Sequence, residues 1–139
     1  MTKVFVNTLR MAPKQIVRPT KFELSILKVL WDSGPLSVRE IQTILDARKA
    51  TGYTTVLKML QIMTEKGLVD RDESVRPQIY RARYSQEQTQ RHLVRDLLDR
   101  AFGGSVKALV MQALASKKSS QKDIEALEKL LDRMEGGSK

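Results

Sequence analysis

The stretch Arg48–Gly67, RKATGYTTVLKMLQIMTEKG, decides how the rest of this chain is read. Two adjacent cations, Arg48 and Lys49, lead into a small polar turn, Ala50-Thr51-Gly52. A helical pattern then runs to Lys66 and is stopped by Gly67. Val56, Met59, Leu60 and Met63 recur at helical spacing and are expected to face inward. Thr54, Thr55, Lys58 and Gln61 fall on the opposite side. Short hydroxyls, an amide and a cation are groups suited to base edges and phosphates in a major groove. The same pattern also describes an ordinary amphipathic helix with a solvated face. The neighbouring sequence has to discriminate.

Upstream, Pro19-Thr20-Lys21-Phe22-Glu23 announces a helix, with Thr20 as cap and Glu23 completing a capping box. Leu24, Leu27, Leu30 and Trp31 mark its buried stripe, widened by Ile26 and Val29, and Ser33-Gly34-Pro35 ends it. A single Trp at helical spacing is read as core rather than as a ligand-stacking platform. Ser37-Val38-Arg39-Glu40 repeats the box and opens a shorter helix with Val38, Ile41 and Leu45 inside, joined by Ile44. Two boxed helices, a polar turn and a third helix with a polar face make a tri-helical helix-turn-helix.

Downstream of Gly67 the period changes from helical to extended. Leu68–Glu73 and Gln78–Tyr84 read as two strands joined by Ser74-Val75-Arg76-Pro77, where a proline is tolerable. Three helices followed by a hairpin predict a winged helix over residues 20–84. Arg76 stands at the tip of the wing, with Arg81 and Arg83 on its second strand. A DNA-binding reading accounts for the hairpin, its cations and the polar helix face together.

Residues 85–135 predict three further amphipathic helices. Ser85-Gln86-Glu87-Gln88 caps the first, which carries Leu93, Val94, Leu97, Leu98 and Ala101, with Phe102 just before the Gly103-Gly104 break. Val106, Leu109, Val110, Ala113 and Leu114 follow on the second, and Lys117-Lys118-Ser119-Ser120 breaks that helix. Ser120 with Asp123 starts the last, bearing Ile124, Leu127, Leu130, Leu131 and Met134. So short a set can hardly bury its stripes on itself. A two-fold partner offering the same stripes solves the problem and matches palindromic DNA. The expected dimer interface comprises Leu93, Leu97, Phe102, Val106, Leu109, Val110, Leu114, Ile124, Leu127, Leu130 and Leu131. A helical cap folded back on the winged helix is the competing arrangement. The fold class is therefore mainly α with a small β-hairpin, a winged helix-turn-helix domain followed by a helical dimerisation domain.

Composition agrees with a polyanionic partner. The 139 residues carry a net charge of +9. Residues 1–19 contribute Lys3, Arg10, Lys14 and Arg18 without a single acid, the largest excess of any segment. Met1–Val17 lacks periodicity and reads as a mobile basic arm, with Met11 an alternative start. The absence of cysteine excludes a disulfide framework, a thiolate metal site and a cysteine nucleophile. No apolar run suits a membrane helix and no secretory signal is evident, so a cytoplasmic location is expected. No catalytic residue, metal site or cofactor is expected. The one histidine, His92, sits among Gln90, Arg91 and Leu93 on an association helix. Asp70, Asp72, Glu73, Asp96 and Asp99 are interleaved with cations and read as solvated or paired faces.

From Thr20 to Met134 the chain resembles the penicillinase repressor family, the BlaI/MecI type. The resemblance is carried by ELSILKVLW from Glu23 to Trp31, Val38-Arg39-Glu40-Ile41, and Thr54-Thr55-Val56 ahead of Lys66-Gly67-Leu68-Val69. Tyr80 in the wing and Gly103-Gly104 followed by Leu109-Val110 add to it. It implies a homodimeric repressor on an inverted-repeat operator with TACA/TGTA-like cores, serving an antibiotic-resistance or stress-type operon. Thr54, Thr55 and Lys58 match the family's base-contacting positions. Arg39, Arg48, Lys49, Tyr53, Arg76, Gln78 and Arg81 form the expected backbone-contacting set. Ile62 stands where the family often has an arginine, and Arg76-Pro77-Gln78 replaces its commoner glycine-containing loop. In the best-known relatives a membrane sensor metalloprotease cleaves an Asn-Phe bond. Alignment places Gln112-Ala113 there, and both residues differ. The cysteine motif of copper-responsive cousins is absent.

Two other functions compete for the same architecture. A winged helix used for protein–protein contact is expected to lack the polar and basic third-helix face. A small-molecule-responsive regulator of the MarR kind usually has a dimerising helix ahead of the winged helix, and residues 1–19 are too poor in apolar residues for one.

Overall fold

A computed structural model of the chain describes residues 5–6, 18–116 and 121–137, with side chains for 18–116 and 121–134. In chain order the elements are β1 (Phe5–Val6), α1 (Lys21–Ser33), β2 (Leu36–Ser37), α2 (Val38–Asp46) and α3 (Tyr53–Lys66). The hairpin β3 (Val69–Asp72) and β4 (Ile79–Ala82) follows, then α4 (Gln86–Ala101), α5 (Val106–Ser116) and α6 (Gln121–Gly137). The chain forms two compact units, residues 1–94 and 95–139, and the division falls inside α4.

Local chemistry sets the boundaries in the first unit. The Thr20 hydroxyl accepts from the Glu23 backbone N–H at 3.2 Å, and the Glu23 carboxylate accepts from the Thr20 N–H at 2.8 Å. Ser37 and Glu40 repeat this reciprocal pair at 3.2 and 3.0 Å at the start of α2. Each box satisfies two backbone donors that a helix start leaves without partners. At the far end of α3, Gly67 adopts φ +78°, a left-handed stop open to glycine at little cost. A Cβ there would also meet Arg83 Nη1 at 3.0 Å.

The core gathers one face of each helix. Ile26, Leu27, Val29 and Leu30 of α1 meet Val38, Ile41 and Leu45 of α2 and Val56, Leu60 and Met63 of α3. Leu68, Val69 and Tyr80 close it from the hairpin side. Leu24 and Met59, expected inside, are only half-buried, because Ile26 and Val29 take the deeper places on α1 and Val56, Leu60 and Met63 those on α3. Trp31 is half-buried against this core, and its indole Nε1 donates to the Tyr84 carbonyl at 3.0 Å.

The wing is a larger sheet than a hairpin. Its strand order is β1-β3-β4-β2, with every neighbouring pair antiparallel. In the hairpin Asp70 lies opposite Arg81 and Arg71 opposite Tyr80. Leu36 of β2 pairs with Tyr80, and Phe5 of β1 pairs with Asp72. Both strands are shorter than the sequence pattern proposes, by one or two residues at the ends. Of the basic arm, Phe5–Val6 occupies an outer edge of the sheet, which the lack of periodicity in residues 1–17 does not foreshadow. The other residues of the arm before Arg18 lie outside the described ones.

In the second unit α5 and α6 follow the end of α4. Gly103 and Gly104 both take positive φ, +53° and +81°, and turn the chain between α4 and α5. The break proposed at Lys117–Ser120 lies outside the described residues. Val106, Val110, Met111 and Leu114 on α5 are exposed, as are Leu127, Leu130, Leu131 and Met134 on α6.

Candidate nucleic-acid interface

The third helix is presented by what surrounds its first turn. The carboxylate of Asp46, at the end of α2, accepts from the Thr51 N–H at 2.9 Å, and Gln42 Nε2 donates to the Thr51 carbonyl at 3.0 Å. The Thr51 hydroxyl donates to the Lys49 carbonyl at 2.7 Å. These bonds lock the turn that aims α3. Across the same turn the Arg39 guanidinium lies over the Tyr53 ring, 4.6 Å from its centroid. A cation stacked on an aromatic face is held by the ring's quadrupole, so α2 and the start of α3 are tied side chain to side chain.

On α3 the inward and outward residues separate cleanly. Val56, Leu60 and Met63 are completely buried at 0% exposure, whereas Thr54, Thr55, Lys58 and Gln61 are all exposed. Thr54 and Lys58 are four residues apart, and Thr55 and Lys58 three apart, so the three share one helical face. Tyr53 is 39% exposed at its edge. The helix start also differs from the two before it. Its cap is Gly52, and no side chain caps the first turn. Unlike α1 and α2, α3 therefore leaves its leading N–H groups and the positive end of its dipole to solvent or an anion.

Charge is arranged in the same sense. Arg39, Arg48, Lys49 and Lys58 are exposed around α3, and Arg76 is exposed in the wing loop. None of these five cations is ion-paired with a described residue. Arg81, also expected to contact the DNA backbone, is exposed on β4. It faces Asp70 across the hairpin, with Nε to Oδ2 at 3.7 Å. Its side chain nevertheless stays 49% exposed, so Arg81 and Arg76 both present charge to solvent from the wing. Gln78 is half-buried next to β4.

One feature of this region was invisible in the sequence pattern. Lys66, in the last turn of α3, places Nζ 2.9 and 3.0 Å from the two carboxylate oxygens of Glu23. Glu23 is 1% exposed, so a capping-box residue doubles as a buried counter-ion. Burial alone raises its pKa. The Thr20 backbone N–H, then Lys66 and the Thr20 hydroxyl, outweigh that effect and leave the carboxyl below its ordinary value. Both residue types were legible, Glu23 in its box and Lys66 as a last-turn cation, but their 43-residue separation hid the pairing.

The residues assigned to a dimer interface are spread over α4, α5 and α6, with Phe102 in the turn between α4 and α5. Leu97, Val106, Val110, Leu114, Leu127, Leu130 and Leu131 are exposed, and Leu93, Phe102, Leu109 and Ile124 are half-buried. Gln112 and Ala113 are exposed within α5, so the bond between them is helical backbone. Among the described residues, no group of three or more His, Asp or Glu side chains is placed to hold a metal ion, and no helix is long and apolar enough to cross a membrane.

A winged helix with a polar, cation-ringed third helix, followed by a separate helical unit, defines a transcriptional regulator. The penicillinase repressor family model matches residues 19–133, and the chain belongs to that family of repressors. It is also 22% identical over 122 residues to the penicillinase repressor of Staphylococcus aureus, an alignment spanning 88% of this chain and 96% of that protein. The family points to a regulator rather than an enzyme.

Proposed function

We propose that the chain represses transcription by binding an inverted-repeat DNA operator as a homodimer, with one α3 reading each half-site. The observation that carries this reading is the face of α3. Thr54, Thr55 and Lys58 are exposed over a completely buried Val56, Leu60 and Met63, at a helix start with no side-chain cap. Hydroxyls and an ammonium group on a helix of fixed direction can hydrogen-bond base edges in a major groove. Arg39, Arg48, Lys49 and Arg76 supply phosphate contacts around them, and the leading amides of α3 supply a further one. Tyr53, held by Arg39, supports the helix start against the backbone.

The helical unit fits the second half of the proposal. Its apolar residues remain exposed along α5 and α6 in the single chain, and a copy of the same surface is the partner that two-fold DNA calls for. Residues 20–84 then read DNA and residues 85–135 set the spacing between two readers.

Selection from a randomised duplex library tests the reading. The full chain should enrich a palindromic site, and Thr54→Ala with Lys58→Ala should erase the preference while circular dichroism stays unchanged. Loss of about 1–3 kcal/mol per discriminated base is the expected scale. Unaltered preference in the double variant would remove α3 as the reader.

A further inference from the structure

Where the end of α1, strand β4 and the residues entering α4 meet, the first unit holds a cleft of about 310 Å³. The shortness of β2 opens it. Leu36 begins β2 opposite Tyr80, so β4 runs on to Ala82 past the end of its neighbour. Gly34-Pro35 turns the chain there instead of extending the strand. Trp31 and Tyr84 line the cleft together with Pro35, and Gly34 adds no side chain to the wall. Arg81 and Arg83 line it as well, and none of the nine lining residues is acidic.

We propose that this cleft binds a small aromatic carboxylate, which competes with operator DNA for Arg81. The competition rests on the proposed DNA reading, and the binding itself does not. Indole and phenol rings accept a third ring by offset or edge-to-face stacking, and guanidinium groups grip a carboxylate with paired hydrogen bonds. Arg81 and Arg83 are two residues apart along an extended segment, so their side chains leave it on one face. The Arg83 guanidinium lies 5.9 Å from the centroid of the Tyr84 ring, which sets charge beside an aromatic surface. The Trp31 indole gives its N–H to the Tyr84 carbonyl at 3.0 Å, a bond that uses the edge of the ring and not its face. A volume at the small end of ligand pockets suits one or two rings. A DNA phosphate could satisfy the cations, but it brings no ring to set against Trp31 and Tyr84. Arg81 stands beside Asp70 with its side chain 49% exposed, so an anion from solvent can reach it.

Equilibrium dialysis of the full chain against 2-naphthoate tests the site. A dissociation constant of about 1 mM or below is expected. 2-Naphthamide keeps the rings without the charge, acetate keeps the charge without the rings, and each should bind about tenfold more weakly or worse. Arg83→Gln and Tyr84→Leu should each weaken 2-naphthoate by about tenfold. Saturating 2-naphthoate should lower the operator affinity of the wild-type chain several-fold. Tyr84→Leu should bind operator normally without 2-naphthoate and resist its effect at the same concentration. No retention of 2-naphthoate, or equal retention of 2-naphthamide or acetate, overturns the site. Unchanged operator affinity under saturating 2-naphthoate overturns the competition for Arg81. A full chain that retains 2-naphthoate but prefers no DNA sequence supports the site and overturns the DNA reading on which the competition rests.

Discussion

Glu23 concentrates several demands in one side chain. It closes the capping box of α1 and accepts from Lys66 of α3, while 1% exposed. Removing the cation from such a pair strands a buried carboxylate, so Lys66→Met should destabilise the fold by about 2–3 kcal/mol. That is toward the lower end for buried pairs because Lys66 is 31% exposed. Chemical denaturation with both α1 and α3 monitored checks this. The pH dependence has a fixed sign. The folded-state pKa of Glu23 is lowered, so its contribution is complete above the unfolded value near 4.5 and is lost as pH falls through the lower folded value. Acid unfolding of wild type should therefore steepen below about pH 4.5, and Glu23→Gln should flatten that part of the profile. Neither the pair nor the Arg39–Tyr53 stack was legible in the sequence. Spacing reports which residues share a helix face, not which faces meet after folding.

At the scale of elements the sequence is more informative, because helix starts and stops are written locally. Thr20 with Glu23, Ser37 with Glu40, and Gly67 each mark a boundary that the structure reproduces. The two-residue strands β1 and β2 escape such reading, since two residues are too few for an alternation and their pairing is decided by distant chain. The contrast between capped α1 and α2 and uncapped α3 yields a test. Gly52 has φ −77° and ψ 153°, and a Cβ there would meet nothing within 4 Å. Gly52→Asp should thus cap α3 and stabilise the fold by a few tenths of a kcal/mol. The same carboxylate would stand where a phosphate is proposed to bind, so operator affinity should fall. Denaturation and DNA titration of one variant measure both, and equal affinity would exclude the helix start from the interface. Gly67→Ala should act only on stability, costing about 1 kcal/mol or more for a positive φ.

For the whole molecule the balance of buried and exposed apolar surface matters most. Among the described residues, ten of the eleven exposed large hydrophobic side chains lie between Val94 and Met134, and Tyr53 is the other. A second copy covering them would make folding and association one equilibrium, so the melting temperature should rise with protein concentration. Val110→Asp with Leu127→Asp should remove that dependence and give a monomer in sedimentation, leaving the winged helix folded. A wild-type monomer at tens of micromolar, with a concentration-independent melting temperature, would sink the dimer. The apolar stripes were readable in the sequence, but their want of a partner within one chain emerges only from three-dimensional exposure.

The chain contains one tryptophan, and its indole bonds the Tyr84 carbonyl at 3.0 Å, two residues before α4 begins. That position makes Trp31 an intrinsic fluorophore at the foot of the wing. Its emission should lie to the blue of solvated indole while the bond holds, and shift red if the segment entering α4 pulls away. The protein thus carries its own optical gauge of that junction, readable without a label during DNA binding or release.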